Sequence, residues 1–145
     1  MRIVVGSDEQ TPLTDFLIAE LERRGHIPVP IGPLNPIGSE DERKEQWTEV
    51  GRRVGEMVAS GAVSQGVVCC WTGTGVSIAA NKVPGIRAAL CNDAETARGA
   101  RKWNDANVLA LSLRLTSQQI AKEILDGWLE TSFDESERAN VACLF

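Results

Sequence analysis

The chain has 145 residues, of which 43% are hydrophobic and 24% are charged, and its formal net charge is −5. This length and composition predict one globular domain over residues 1–145. The acidic balance argues against a nucleic-acid partner, and the lack of a long apolar run argues against a membrane span.

Cysteine usage bears on metal binding and on the compartment. Cys69, Cys70, Cys91 and Cys143 lack Cys-x-x-Cys spacing, and the chain holds one histidine, His26. This pattern fits neither a structural zinc site nor a disulfide framework, so we expect no metal. The first predicted strand begins at the amino terminus with no signal peptide before it, and we expect a reducing, cytoplasmic setting.

The first half of the chain alternates strand and helix signals. Residues 2–6 are predicted to form a strand, and Thr11 and Pro12 begin a helix that Gly25 ends. Residues 27–31 form a second strand, followed by a polar loop over 33–41 and a solvated helix start over 40–45. A second helix ends at Gly61, and its apolar stripe consists of Trp47, Val50, Val54, Met57 and Val58. We expect Trp47 to lie in the hydrophobic core.

The second half continues the alternation. A strand over residues 66–70 leads through a turn with two glycines into a short helix, which Pro84 and Gly85 close. Strands follow over residues 86–91 and 107–111, and Asp93 caps a helix between them. Thr116 or Ser117 caps a last helix, whose apolar face carries Ile120, Ile124, Leu125 and Trp128.

The predicted strands are near-continuous apolar runs, which is typical of a parallel sheet covered on both faces. We therefore predict an α/β fold: a three-layer α/β/α sandwich with a Rossmann-like, doubly wound, five-stranded parallel sheet. Ligands bind such sheets beyond the carboxyl ends of the strands. The candidate loops at that edge are residues 6–9, 71–75 and 92–93.

Residues 66–87 are the most informative segment. Cys70 ends a buried strand and faces a glycine turn whose backbone N–H groups open a helix. A thiol beside such a turn is a titratable group next to an anion-stabilising pocket, which is a catalytic arrangement in outline. Adjacent strand residues point to opposite faces, so we assign Cys69 to the core.

Four segments together resemble the family of type B ribose-5-phosphate isomerases and galactose-6-phosphate isomerase subunits. They are residues 6–8 (Gly-Ser-Asp), 70–82 (Cys-Trp-Thr-Gly-Thr-Gly-Val-Ser-Ile-Ala-Ala-Asn-Lys), 85–88 and 104–110. The resemblance covers nearly the whole chain. It implies a doubly wound α/β fold, no metal or organic cofactor, and homodimers or dimer pairs with active sites built from both subunits. We expect the tail over residues 132–145 to pack at the dimer interface.

The chain departs from the family's pattern near the ring-opening position. Glu9 and Trp71 stand where the family usually has histidine and glycine. Trp103 replaces a histidine that helps to open the cyclic sugar and that precedes the matched asparagine, Asn104. Trp47 replaces a common tyrosine.

The phosphate-binding positions are kept only in part. Arg114, after the fifth strand, matches the family, whereas the tail offers Arg138 in place of two arginines.

The resemblance implies aldose–ketose isomerisation, in which a proton moves between adjacent carbons through an enediolate. Such a reaction needs a base near those carbons and donors for the developing oxyanion. Cys70 is the candidate base, with Thr72 and Asp8 as further catalytic residues. The residues expected at the substrate are Glu9, Trp71, Gly73, Thr74, Gly75, Val76, Ser77, Trp103, Asn104, Arg114 and Arg138.

Each candidate also has a purely structural explanation. Free cysteine is often a small buried hydrophobe, and Asp8 is also a favourable turn residue. Trp71 and Trp103 serve equally well as packing residues, and most arginines are surface charges.

Three functions are compatible with these residues. The leading one is isomerisation of a small sugar phosphate; loss of the ring-opening histidine favours a tetrose 4-phosphate, which forms no furanose ring, and leaves ribose 5-phosphate open. A second is a non-catalytic or partner-dependent sugar-binding subunit of a hetero-oligomeric isomerase. A third function, nucleotide binding at Gly73-x-Gly75, has weak support, because Ile78 stands where a dinucleotide fingerprint needs a third glycine.

Overall fold

The computed structural model describes residues 1–145, in which strands and helices alternate. The strands are β1 (Arg2–Ser7), β2 (Ile27–Ile31), β3 (Gln65–Cys70), β4 (Ala88–Leu90) and β5 (Val108–Ser112). The helices are α1 (Pro12–Arg23), α2 (Glu40–Arg43), α3 (Trp47–Ala59), α4 (Thr74–Asn81), α5 (Ala94–Asn104), α6 (Gln118–Glu130) and α7 (Arg138–Ala142). Short 3₁₀ turns lie at Gly32–Leu34 and Glu135–Glu137. None of the helices has both the length and the apolar character that crossing a bilayer requires.

All the strands run parallel in one sheet, in the spatial order β2-β1-β3-β5-β4. The chain leaves β1 toward one edge and returns on the other side of β1 at β3. The carboxyl ends of β1 and β3 therefore form the switch point at which open α/β sheets bind ligands. The predicted doubly wound α/β/α fold is confirmed.

Side chains from the two faces of the sheet form two hydrophobic clusters. Val67 and Cys69 lie in the cluster that packs under α1, α5 and α6, together with the buried Trp128. Val68 and Cys70 lie in the cluster that faces α3 and α4. Because successive strand residues point to opposite faces, the pattern along β3 assigns each cysteine to a different layer.

Most predicted element ends agree with the structure, and the differences have local causes. Thr11, Asp93 and Ser117 are the N-caps of α1, α5 and α6, and β2 has the predicted bounds. The fourth strand is shorter than predicted, with three residues. At its start the main chain is bonded by side chains instead of a second strand, since Asn81 Oδ1 accepts from the N–H of Ala88 at 2.7 Å.

The prediction of a solvated run over residues 40–45 is wrong for two of its carboxylates. Glu42 and Glu45 both pair with Arg53 of α3, and their side chains are 16% and 10% exposed. Glu42 Oε1 also accepts from Nδ2 of Asn35 at 2.7 Å. These contacts hold the loop that joins α2 to α3. Helix α2 ends after one turn at Arg43, and α3 begins at Trp47.

Helices α3 and α4 approach each other closely at two glycines. A Cβ at Gly51 would lie 2.7 Å from Ala79 Cβ and 2.9 Å from the carbonyl oxygen of Val76. At Gly55 it would lie 2.9 Å from Val83 Cγ2. Larger residues at either position would push α3 away from α4, the helix that follows the loop after β3.

We expect Gly51→Ala to lower the free energy of unfolding by about 1–3 kcal/mol, because overpacking against helix backbone outweighs the higher helix propensity of alanine. Urea denaturation measures the difference. Gly99→Ala in α5 is the matched control, since its Cβ would contact only the ring of Trp103, which is 51% exposed and free to move. The control should be as stable as the wild type or more stable, and equal effects of both substitutions would contradict the packing argument.

Candidate active site

A cavity of about 460 Å³ lies at the carboxyl edge of the sheet, where β1 and β3 end. It brings together the loop after β1, the loop after β3 and the first turns of α3 and α4. Its lining residues are Asp8, Trp47, Cys70, Trp71, Thr72, Thr74, Gly75 and Ile78.

Cys70 forms part of the cavity wall with 6% of its surface exposed, whereas Cys69 is fully buried on the opposite face of the sheet. Burial raises the pKa of the Cys69 thiol to about 12. The two thiols lie on opposite faces of the sheet, as the alternation of side chains along a strand predicts. Of the two, only Cys70 can contact a bound molecule.

The turn after β3 is fixed by Gly73. Its φ is +78°, and a Cβ there would lie 2.9 Å from the carbonyl carbon and oxygen of Leu111 on β5. Gly73 is the N-cap of α4 but offers no side chain to cap it. The first helical hydrogen bond runs from the N–H of Ser77 to the carbonyl of Gly73 at 3.3 Å. The N–H groups of residues 74–76 precede this bond and have no partner within the helix.

Two threonine hydroxyls meet at the mouth of this turn. Thr72 Oγ1 and Thr74 Oγ1 are 2.7 Å apart, and both residues are exposed on the cavity. The neighbouring predicted residues Val76 and Ser77 do not line the cavity. Val76 is fully buried, so only its backbone N–H faces the turn.

Asp8 enters the cavity from the loop after β1. Burial raises the pKa of its carboxyl above the ordinary value, with a smaller contribution in the same direction from Glu9. Ser7, fully buried, stabilises the loop: its hydroxyl donates to the carbonyl of Glu9 at 2.6 Å and accepts from the N–H of Glu9 at 3.2 Å. The Glu9 side chain is exposed and does not line the cavity.

The expectation that Trp47 is a core residue is wrong. It is 41% exposed, and its ring lies on the main chain of α4, since a Cβ at Gly75 would be 2.8 Å from Trp47 Cε3. Trp47 and Ile78 are cavity residues that sequence reasoning missed. The helical spacing of Trp47 indicated a buried stripe, whereas its position as the first residue of a helix that follows a loop was the signal available.

The cavity is apolar on one side and carries no positive side chain. Trp47, Trp71 and Ile78 are 41%, 61% and 59% exposed, and neither lysine nor arginine lines it. Arg114 is at the same edge of the sheet, where its N–H donates to the carbonyl of Trp71 at 3.0 Å. Its side chain is outside the lining.

Three other predicted residues lie at the opposite edge of the sheet. Helix α5 begins beyond the carboxyl end of β4 and runs back toward the start of β5, so Trp103 and Asn104 at its end face the amino edge. The tail follows them, since the N–H of Asp134 donates to the carbonyl of Lys102 at 2.8 Å. Arg138 Nε donates to Glu135 at 2.6 Å there. Within one chain these residues do not join the cavity.

Comparisons with known proteins identify the family of the chain. The sequence matches the model of a family described as ribose/galactose isomerase over residues 3–142. The chain is 37% identical over 134 residues to galactose-6-phosphate isomerase subunit LacB of Clostridium acetobutylicum, which covers 92% of this chain and 74% of that protein. It is 41% identical over 139 residues to D-erythrulose-4-phosphate isomerase of Pectobacterium atrosepticum, with 92% and 86% covered.

A solved structure extends the likeness to the whole fold. Ribose-5-phosphate isomerase B of Clostridium thermocellum has a TM-score of 0.87 to this chain at 36% identity, over 99% of this chain and 95% of that one.

The thiol environments predict the order of alkylation. With iodoacetamide at pH 8 the exposed Cys143 should react first, and in Cys143→Ser the one labelled residue should be Cys70. Cys69 and Cys91 should stay unlabelled until the protein unfolds, because burial raises both pKa values to about 12. At pH 8 a thiol of that pKa is ionised in about one molecule in ten thousand.

Peptide mass spectrometry identifies the labelled residues. The double variant Cys70→Ala with Cys143→Ser is the control and should take up no label while folded. Labelling of Cys69 in the native state would contradict the assignment of the two β3 thiols.

Proposed function

The chain belongs to the ribose/galactose isomerase family, and from this premise we propose that it is an aldose–ketose isomerase acting on a small sugar phosphate, with Cys70 as the base. The observation that carries the proposal is the position of the Cys70 thiol, in a cavity wall beside the uncapped start of α4. A base and a set of donors then face the same space.

Cys70 has one chemical task in this reaction. Its thiolate takes the proton from the carbon next to the carbonyl of the open-chain sugar, which leaves an enediolate, and returns the proton to the neighbouring carbon. No atom other than that proton and the hydroxyl protons changes place, so the aldose and ketose interconvert without a net oxidant or reductant.

The start of α4 stabilises the charge that develops. The free N–H groups of residues 74–76 and the positive end of the helix favour an oxyanion at this turn. The Thr72 hydroxyl adds a side-chain donor at the same place. Asp8, on the other side of the cavity, accepts a hydrogen bond from a sugar hydroxyl and holds the reacting carbons against the thiol.

The walls of the cavity support a short substrate. Trp47 and Trp71 offer aromatic faces, which suit the C–H surfaces of a sugar. Trp103 has no group that protonates a ring oxygen, so an open-chain tetrose 4-phosphate is favoured over a pentose 5-phosphate that must first open. A relative named D-erythrulose-4-phosphate isomerase, 41% identical to this chain, supports the same substrate class.

A phosphate group on the substrate needs a positively charged partner, and this need favours a site that includes a second copy of the chain. The cavity carries no cation of its own chain, while Trp103, Asn104 and Arg138 lie at the other edge of the sheet. A partner subunit packed over the exposed rings of Trp47 and Trp71 would bring its own residues 103, 104 and 138 to the cavity. We therefore extend the proposal to a homodimer with shared sites.

Proton exchange tests the chemistry. The wild type is incubated in deuterium oxide with tetrose 4-phosphates or pentose 5-phosphates. It should introduce deuterium at carbon 1 or 2 of the sugar, and proton NMR measures this exchange. Cys70→Ala should lose at least about a thousandfold in rate, because it removes the proposed base. Tetrose 4-phosphates should turn over faster than ribose 5-phosphate.

Cys69→Ala is the matched control, since it removes the neighbouring thiol on the opposite face and should keep most of the activity. If the folded wild type introduces deuterium into none of these sugar phosphates, the enzymatic proposal is overturned and a partner-dependent binding subunit is favoured. Fast turnover of ribose 5-phosphate alone would overturn the tetrose assignment.

Complementation tests the shared site. Cys70→Ala and Asn104→Ala homodimers should both be nearly inactive, whereas unfolding and refolding them as an equal mixture should restore about a quarter of the wild-type activity. Half of the dimers would be mixed, and each would hold one site with both native residues. A mixture of Cys70→Ala with Cys70→Ser should restore nothing, and the absence of recovery in the first mixture would show that each site lies within one chain.

A further inference from the structure

The hydroxyl pair of Thr72 and Thr74 has a consequence for the direction of hydrogen bonding in the site. Their oxygens are 2.7 Å apart, the ordinary distance for an O–H···O bond. Neither hydroxyl makes any other hydrogen bond in the structure. Both residues line the cavity that holds Cys70.

The backbone keeps this pair together. Gly73, between the two threonines, has φ +78° and packs against the main chain of Leu111, so the turn has little room to change. Thr74 is the first residue of α4, which fixes its own backbone in the helical region. The two side chains therefore leave the turn on the same side, toward the cavity.

A hydroxyl has one proton and can donate one hydrogen bond. If Thr72 donates to Thr74, its proton is used inside the protein and its oxygen can only accept from a substrate. If Thr74 donates to Thr72, the Thr72 proton is free to point into the cavity. The direction of this single bond decides whether Thr72 can act as a donor.

We propose that Thr74 is a positioning residue: its hydroxyl donates to Thr72 Oγ1 and thereby turns the Thr72 proton toward the substrate oxygen that gains negative charge. This inference rests on the proposed function, because it requires an anionic oxygen at the start of α4. Hydrogen bonds in a chain also polarise one another, so the Thr72 donor is strengthened by the bond that it accepts.

Substitutions of matched shape test the role. Thr74→Val keeps a β-branched side chain of the same size and should lower kcat about tenfold, with KM within about twofold of the wild type. Thr74→Ser retains the hydroxyl and should restore kcat to within about threefold of the wild type. Thr72→Val removes the donor itself and should lower kcat by about a hundredfold.

The double variant separates positioning from an independent contact. If Thr74 acts only through Thr72, the Thr72→Val/Thr74→Val protein should be no slower than Thr72→Val. Multiplied effects would overturn the proposal, because they would mean that Thr74 contacts the substrate by itself. A kcat of Thr74→Val equal to the wild-type value, or no rescue by serine, would overturn it as well.

The test distinguishes this inference from the function on which it rests. A wild type that isomerises a sugar phosphate while Thr74→Val is equally fast refutes the positioning role alone. A wild type that isomerises none of the tetrose or pentose phosphates overturns both. Urea denaturation of each variant excludes loss of folded protein as the cause of a lower rate.

Discussion

The glycine turn between β3 and α4 is the constraint on which the rest of the site depends. Gly73 has a positive φ, and the main chain of β5 lies where a Cβ would be. The chain can therefore pass from strand to helix within three residues, so that a thiol, two hydroxyls and the uncapped start of a helix face one cavity. Any side chain at residue 73 would meet both strain and a steric clash, and the helix start would move away from the thiol.

The layers on either side of the sheet keep the two neighbouring thiols chemically distinct. Cys69 is enclosed by helices α1, α5 and α6, and burial raises its pKa to about 12. A thiol with this pKa stays protonated, and therefore unreactive, at neutral pH. Cys70 points to the α3 and α4 side, where the close approach of these helices at Gly51 also seats Trp47 on Gly75. Packing between two helices thus shapes a wall of the cavity several residues away.

The distribution of charge leaves the cavity of one chain without a cation for the phosphate of the proposed substrate. The cavity holds Asp8, large apolar walls and backbone N–H groups, whereas the arginine in the tail is paired with Glu135 beyond the other edge of the sheet. An anion gains from the helix start, but the carboxylate of Asp8 opposes it. The proposed second copy resolves both the missing cation and the exposure of Trp47 and Trp71, since one contact would cover the rings and supply the charge.

The sequence alone predicts the order of strands and helices, the layers of Cys69 and Cys70 and the turn at Gly73, because apolar runs, caps and glycines act through local backbone preferences. It also carried the family resemblance through the block around Cys70. Three features became apparent only in the folded chain: Trp47 lines the cavity, Glu42 and Glu45 pair with Arg53, and Trp103 and Asn104 lie at the far edge of the sheet. These outcomes depend on which elements meet in space and on the direction in which each helix crosses the sheet, and periodicity along one element carries no information about either.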